Sequence, residues 1–456
     1  MDNISDENYE EVQSNTRVVS FVKRFDILQL MKTVGFKKEK GVKLIDIFVF
    51  LITLVFNHKN LFEYLRGLNV SVEFKKDVVY DFLNNPMLNW RRFLLGISSN
   101  IIKFLISLTN ENRVCAIIID DSAFYRDRSE KVELLARNKD HSTGKYYKGF
   151  RKLTAGWTDG ATFIPLAFSL LSSSKPEKIL YDQGPEVPKN SPGKARREEA
   201  VRKGTDVTLE LIDQILGYVQ NFQYVLFDSW FSWPAIIKGI KDRNRDTICM
   251  LKNMPNIFYT YKGKKYKLSD LYAKLNKSTK KSGCIASVIV DYYGISVRIV
   301  FVRNRNKDSK REWLAILSTN ITITEEEIIR IYGMRWDIEC YFKVCKSYLR
   351  LAKEFQGRSY DSMVAHTTIV SVRYIILSVA IREQNDSRAH GGMFHLFCDE
   401  IKDVDFQEAF NLIINLFVDV LRENLFITKE MTNKILDDFM KKLPDFIKNR
   451  LSKASA

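Results

Sequence analysis

Histidine is scarce in this chain of 456 residues: the five present, His58, His141, His366, His390 and His395, show no metal-ligand spacing. The six cysteines, Cys115, Cys249, Cys284, Cys340, Cys345 and Cys398, form no C-x-x-C pair and lack disulfide-like density. Those two shortages exclude a zinc site and a disulfide scaffold and point to reduced thiols. The opening MDNISDENYEEVQ is acidic and polar and has none of the basic-then-apolar order expected of a signal peptide. The early apolar run 47–56 is too short to cross a bilayer and follows Asp46. With no internal repeat and no transmembrane-length segment evident, the expectation is a cytoplasmic protein without a membrane partner.

The composition that remains is that of a globular chain, 45% hydrophobic and 12% aromatic, long enough for two or three domains. Lysine and arginine number 71 against 55 acidic residues, a formal charge of +16 spread along most of the length. A polyanionic partner fits that excess, and nucleic acid fits best.

Along the chain, residues 1–16 read as a disordered acidic tail. From 17 to 110 the periodicity is helical, with Asp77 and Asn89 as N-caps and Gly35 and Gly67 as stops, and this basic helical region is the candidate DNA-binding domain. At Val114 the texture changes. VCAIIID is a buried-strand pattern that ends in Asp120, Asp121 and Ser122. YYKGFRKLTAGWTDGATFIPLAFSLLSS then reads as two strands joined at Thr158-Asp159-Gly160. Residues 174–204 hold three of the nine prolines within 185–192 and then a basic run, so they read as a mobile loop whose Lys194, Arg196, Arg197, Arg202 and Lys203 could touch phosphate. A helix with Leu209, Ile212, Leu216 and Val219 on one face leads to FQYVLFDSWF, a second apolar run ending in an aspartate, Asp228. Residues 111–252 thus form the first part of a core. The stretch 253–320 reads as a β-rich insertion with turns at Lys262-Gly263 and Tyr293-Gly294, 321–385 returns to the core, and 386–456 is helical.

Within 331–350, IYGMRWDIECYFKVCKSYLR, the residues Tyr332, Arg335, Glu339 and Lys346 fall on or near one face of what reads as a single helix. Alone, that is a charged stripe with a modest i,i+4 ion pair. Together with two strand-end aspartates, Glu339 would complete an oxygen-only site suited to Mg2+ or Mn2+. Two such ions, roughly 3.5–4 Å apart, activate an attacking oxygen and stabilise a leaving one in phosphodiester displacement. Asp120 and Asp121 point to opposite faces of a strand, so only one can serve. The Asp-x-Ser spacing favours Asp120, with Asp121 left for a supporting or solvent-facing place.

The spacing Y-x2-R-x3-E-x6-K, with the Arg335-Trp336 pair, resembles the YREK signature of the insertion-sequence-four family of bacterial DDE transposases, the group of the Tn5 and Tn10 enzymes. Asp120 in Asp-x-Ser resembles that family's first motif and Asp228 its second, and the likeness spans about residues 20–385. It implies an α+β fold with an RNase H-like core, a β insertion before the glutamate-bearing helix, and flanking helical regions. It implies cut-and-paste transposition of an insertion sequence by two metal ions, with Asp120, Asp228 and Glu339 as catalytic ligands. Tyr332, Arg335 and Lys346 would contact phosphates, and Trp230, Trp233 or Trp313 would stack on a flipped base, although burial in the core is the simpler place for a tryptophan. The implied partners are double-stranded DNA, as terminal inverted repeats and target, and a second copy in a synaptic homodimer in a bacterial cytoplasm, at the nucleoid when DNA-bound. Two alternatives stand beside it: a transposase-derived DNA-binding protein without activity, and an RNase H-like nuclease without strand transfer.

Overall fold

Apolar strand-length runs and two-residue turns determine most of the sheet. In the computed structural model, which describes residues 16–37, 40–58, 60–61, 75–109, 112–140, 143–277, 283–304, 312–354, 357–383, 388–425, 428–445, 447–448 and 451, twelve strands join in one sheet. The expected tail lies outside the described residues, apart from Thr16, which caps the first helix by accepting from the Val19 N–H. The expected stop at Gly67 lies outside them as well.

Strand β1 (Ala116–Tyr125) runs antiparallel to β3 (Tyr146–Thr158). One end of β3 pairs with β2 (Leu135–Lys139) and the other with β4 (Phe163–Leu171). On its far side β1 pairs in parallel with β6 (Tyr224–Phe227), and β6 pairs in parallel with β7 (Asp246–Leu251). The order β4-β3-β1-β6-β7, two antiparallel pairings followed by two parallel ones, is the arrangement of an RNase H-like core. The parallel pairs need crossovers, and helices supply them. Of these, α7 (Gly204–Leu216) precedes β6 and α8 (Pro234–Asp242) links β6 to β7. The buried face of α7 is Val207, Thr208, Leu211, Ile212 and Ile215, displaced from the expected one, with Leu209 and Leu216 half-buried.

The β-rich stretch after β7 continues the same sheet. It comprises β8 (Tyr259–Tyr261), β9 (Lys264–Tyr266), β10 (Cys284–Tyr292), β11 (Ile295–Arg303) and β12 (Trp313–Ser318), with β12 antiparallel to β7 and α9 (Leu268–Lys274) between β9 and β10. Two hairpins close on Lys262-Gly263 and Tyr293-Gly294, where both residues of each pair have positive φ. That conformation matches strand twist, and glycine takes it without steric cost.

Preceding the sheet are α1 (Arg17–Arg24), α2 (Ile27–Thr33), α3 (Leu44–Thr53), α4 (Lys76–Asn84) and α5 (Trp90–Ser107). Asn89 caps α5 by accepting from the Arg92 N–H at 3.0 Å, whereas Asp77 lies inside the first turn of α4. After α10 and α11, described below, comes α12 (Tyr360–Glu383), buried on nearly every side from Tyr360 to Ala380. By length and composition α12 could cross a membrane, which corrects the expectation that no segment reaches that length, and 89% of its apolar window is buried inside the protein. Full burial of one of its isoleucines or valines contributes roughly 1.5–3 kcal/mol, which is why this helix carries the core.

Residues 174–204 are not a loop throughout. They contain β5 (Ile179–Tyr181), which edges the sheet beside β2, and α6 (Pro192–Ala200), capped by Ser191. Arg197 donates to Glu133 at 2.6 Å and to Asp361 at 2.7 Å, and Arg91 clamps Glu199, all with little exposure. Arg196 is buried as well, and burial beside Arg91 pushes its guanidinium down to about 9. Arg197 therefore ties α6 to the core, and Arg196 is buried with its guanidinium carbon 5.8 Å from the Phe168 ring. Lys194 pairs with Glu198 at 3.7 Å and Arg202 with Glu210, both at the surface.

Candidate active site

The β1/β6 register builds the site. Ile119 stands opposite Phe227, so Asp120 and Asp228 are the next residues on two parallel strands; β6 ends there, whereas β1 does not end at Asp120 as expected but runs on to Tyr125, with Asp120 opposite Thr154 of β3. Neighbouring strands lie about 4.8 Å apart, which places two carboxylates side by side. Burial and then the charge of Asp228 raise Asp120 to about 7. Asp228 is raised too, chiefly by burial, against the pull of the Trp230 backbone N–H, which it accepts at 2.8 Å. Asp228 caps that tight turn rather than α8, whose N-cap is Trp233.

Asp121 points elsewhere. Its carboxylate pairs with Arg151 of β3 at 3.0 Å, while Asp120 meets Arg335.

The YREK segment is two helices rather than one. Tyr332 lies near the end of α10 (Glu325–Gly333), Arg335 stands at the break, and Glu339 and Lys346 lie on α11 (Trp336–Ser347). The break turns Arg335 toward Asp120. Its Nη1 donates to Asp120 Oδ2 at 3.1 Å and its Nη2 donates to Glu339 Oε1. Tyr332 is half-buried under the guanidinium, whose carbon sits 6.0 Å from the ring centre, and desolvation pushes its phenol upward. Two turns beyond Glu339, Lys346 donates to Ser122 Oγ at 2.6 Å and lies 5.8 Å from the Tyr125 ring, and burial lowers its ammonium.

Among the described residues no three His, Cys, Asp or Glu side chains are grouped closely enough to hold an ion. Instead a guanidinium bridges Asp120 and Glu339. The donor set still suits a hard divalent cation: it is oxygen-only, two of its carboxylates repel one another, and it already draws a positive group.

The tryptophans separate. Trp230 and Trp233 are exposed in the turn after Asp228, and the Arg151 guanidinium lies 6.0 Å from the Trp230 ring. Trp313 stacks on Tyr272 at 4.7 Å and meets Phe301 edge-on at 5.2 Å, so it packs within the β8–β12 part of the sheet. Beside Arg335, Trp336 is 62% exposed, more than Trp230 or Trp233.

Residues 56–261 match the family described as DDE superfamily endonuclease, and residues 197–374 match the transposase DDE domain. The two matches together run from residue 56 to residue 374. Asp120 and Asp228 fall within the first match, Asp228 and Glu339 within the second. No curated protein matches the chain. A solved structure, the cryo-EM structure of a piggyBac transposase synaptic complex with hairpin DNA, is similar at 11% identity with a TM-score of 0.42, over 99% of this chain and 86% of that one.

Several residues around the DDE site escape a motif-based reading. Ser122 and Arg151 touch Lys346 and Asp121, and buried Lys152 on β3 donates to Tyr341 of α11 at 2.8 Å. β-strand alternation places Arg151 and Lys152 on opposite faces, but nothing in the sequence tells what each face meets.

Proposed function

We propose that this chain is a metal-dependent DNA transposase of the YREK type that excises an insertion sequence at its terminal inverted repeats and joins it to target DNA. The observation that carries the reading is the parallel β1/β6 register, which sets Asp120 beside Asp228, with Glu339 tied to Asp120 through Arg335. Asp120, Asp228 and Glu339 would hold the divalent ions, Mg2+ or Mn2+. When bound, these ions supply Lewis acidity at the attacking and leaving oxygens of the phosphodiester. The protein's own share is positioning and charge. Released from the carboxylates, Arg335 offers a forked donor for a phosphate, and Lys346 adds a second cation on the same helix side. Trp230, exposed next to Asp228, offers a stacking face for an unpaired base. The +16 charge suits a long DNA contact with strong salt dependence. The reading places the protein in a bacterial cytoplasm, acting as a homodimer on paired ends.

The test is incubation of purified protein with Mg2+ and DNA carrying the element's flanking repeats, scoring nicks, hairpins and joined products. Wild type should give joined products, and Asp228→Ala should give none while retaining end binding. Nicks without joining would reduce the protein to a nuclease, and cleavage by Asp228→Ala would remove the assignment.

A further inference from the structure

Lys152 is a charge in the core with no partner charge. It lies on β3 with 1% of its surface exposed, and its ammonium faces the rings of Tyr341, Phe342 and Phe168. Among the described residues its one hydrogen bond runs to the Tyr341 hydroxyl at 2.8 Å, and no carboxylate pairs with it. Taking an ammonium out of water without a counter-charge is costly, and ring faces offset only part of that cost. A methionine would fill much the same space without it. Stability therefore does not account for the residue, and its place in the sheet suggests what does.

The β1/β3 register sets Lys152 opposite Ser122, and Asp120 lies two residues before Ser122, so all three share the face that α11 covers. Both members of that register pair grip α11. Ser122 accepts from Lys346, which follows Glu339 by seven residues and so stands about 20° from it around the helix axis. Lys152 donates to Tyr341, about 160° from Glu339 on the other flank. Beyond Tyr341 the hydrogen bonds have a fixed direction. Ser371 of α12 gives its hydrogen to the Thr367 carbonyl at 2.9 Å, so Tyr341 donates to Ser371 Oγ at 3.0 Å, and its lone pair is left for Lys152. Buried Ile338, Phe342 and Cys345 hold α11 against the protein, but apolar contact is non-directional and does not set the roll of the helix. The two polar links do. A roll of about 10° carries a side-chain tip roughly 5–6 Å from the axis through about 1 Å, enough to part Glu339 from Asp120 and Asp228 in a shared ion site.

We propose that Lys152 is a positioning residue: through Tyr341 it fixes the rotation of α11, and with it the place of the Glu339 carboxylate relative to Asp120 and Asp228. The protein gives up stability at Lys152 and gains a defined third carboxylate. The proposal deepens the transposase reading and rests on it for Glu339 as an ion ligand.

A double-mutant cycle on the full chain tests it, with Lys152→Met, Tyr341→Phe and the two combined. Lys152→Met and the double variant should melt no lower than wild type at pH 7, because an apolar group replaces the buried charge and, in the double variant, both ends of its hydrogen bond. In calorimetric titration without DNA, each single variant should bind Mn2+ about ten-fold more weakly than wild type. The double variant should be no worse than the weaker single one, since all three cut the same link. In nicking assays kcat should fall about 10–100-fold with KM for the end DNA unchanged. A lysine that only fills space would leave Mn2+ affinity and kcat at wild-type values in a variant that melts as well or better. Unchanged Mn2+ affinity in both single variants, or single losses that multiply in the double one, would overturn the proposal. Tyr341→Phe removes one oxygen and decides the matter by itself if Lys152→Met folds poorly. The two readings fail separately: the expected Mn2+ differences in a protein that never cuts DNA defeat the transposase reading alone, and a wild type that cuts, with variants indistinguishable from it, defeats this proposal alone.

Discussion

Arg335 joins Asp120 to Glu339: one nitrogen of its guanidinium donates to Asp120 at 3.1 Å and the other to Glu339. The cation neutralises two carboxylates that would otherwise repel each other and Asp228 in a partly dry site. A divalent ion binding those oxygens must displace it. Arg335→Gln should therefore bind Mn2+ about ten-fold more tightly than wild type in calorimetric titration without DNA, because the competing cation is gone. DNA cleavage should fall, since the same group would hold phosphate. Unchanged or weaker Mn2+ affinity would show that Arg335 organises the carboxylates more than it blocks them.

Asp120 gives a pH prediction with a definite sign. Burial and Asp228 lift its carboxyl to about 7, above an unfolded value near 4. Between those values the folded protein holds a proton that the unfolded chain has released, so folding stability falls as pH rises through that window and stays low above it. Asp120→Asn removes the cost. It should raise the melting temperature of the metal-free protein at pH 8, by up to about 4 kcal/mol of stability, and change it little at pH 4. With saturating Mg2+ the order should reverse, because only wild type keeps the full ligand set.

Much of this was legible in the sequence, and the failures have physical causes. The aspartates were visible because a buried parallel strand is an unbroken apolar run, although only Asp228 follows a strand end and β1 continues past Asp120 on polar residues; the turns at Lys262-Gly263 and Tyr293-Gly294 were visible because hairpins need positive φ. The helix break at Arg335 was invisible, since neither proline nor a capping side chain marks it; the polarity of IYGMRWDIEC continues across it. Arg196 and Arg197 looked like phosphate-binding loop residues because a basic run carries no sign of the carboxylates waiting elsewhere. Glu133 and Asp361, which hold Arg197, come from two distant parts of the chain, and Glu199 of α6 itself is met by Arg91 of α5. Strand β2 was missed because LARNK has little apolar alternation, and α12 hid its length behind scattered serines and threonines, buried as it is on nearly every side.

Lys152 offers a second titration, opposite in sign. It is buried among Tyr341, Phe342 and Phe168, whose ring centres lie 4.6, 5.6 and 5.8 Å from its Nζ, and burial pushes it down to about 8. Free lysine titrates near 10.4, so the folded protein sheds this proton first, and stability rises as pH climbs from about 8 to 10. Below 8 the buried charge costs its full amount, reduced by the rings. Lys152→Met should raise the melting temperature at pH 7 and lose that advantage above pH 10. A lower melting temperature at pH 7 would mean that the hydrogen bond to Tyr341 and the ring faces outweigh desolvation.

The tryptophans divide by exposure and neighbours, and the division predicts which of them meets DNA. Trp313 is sandwiched by Tyr272 and Phe301, so Trp313→Ala should cost about 2–4 kcal/mol in denaturant unfolding and alter DNA affinity little in whatever protein remains folded. Trp230 follows Asp228 by two residues and Trp336 follows Arg335 directly, and they are 38% and 62% exposed. Truncating either removes little packing. Trp230→Ala and Trp336→Ala should keep the wild-type melting temperature and weaken binding to DNA with an unpaired base at the cut end by about 1–3 kcal/mol each, with a smaller loss on fully paired ends. Fluorescence anisotropy with the two DNAs separates stacking from general phosphate contact. Equal losses on both would leave the indoles as backbone neighbours, with no role in holding a base.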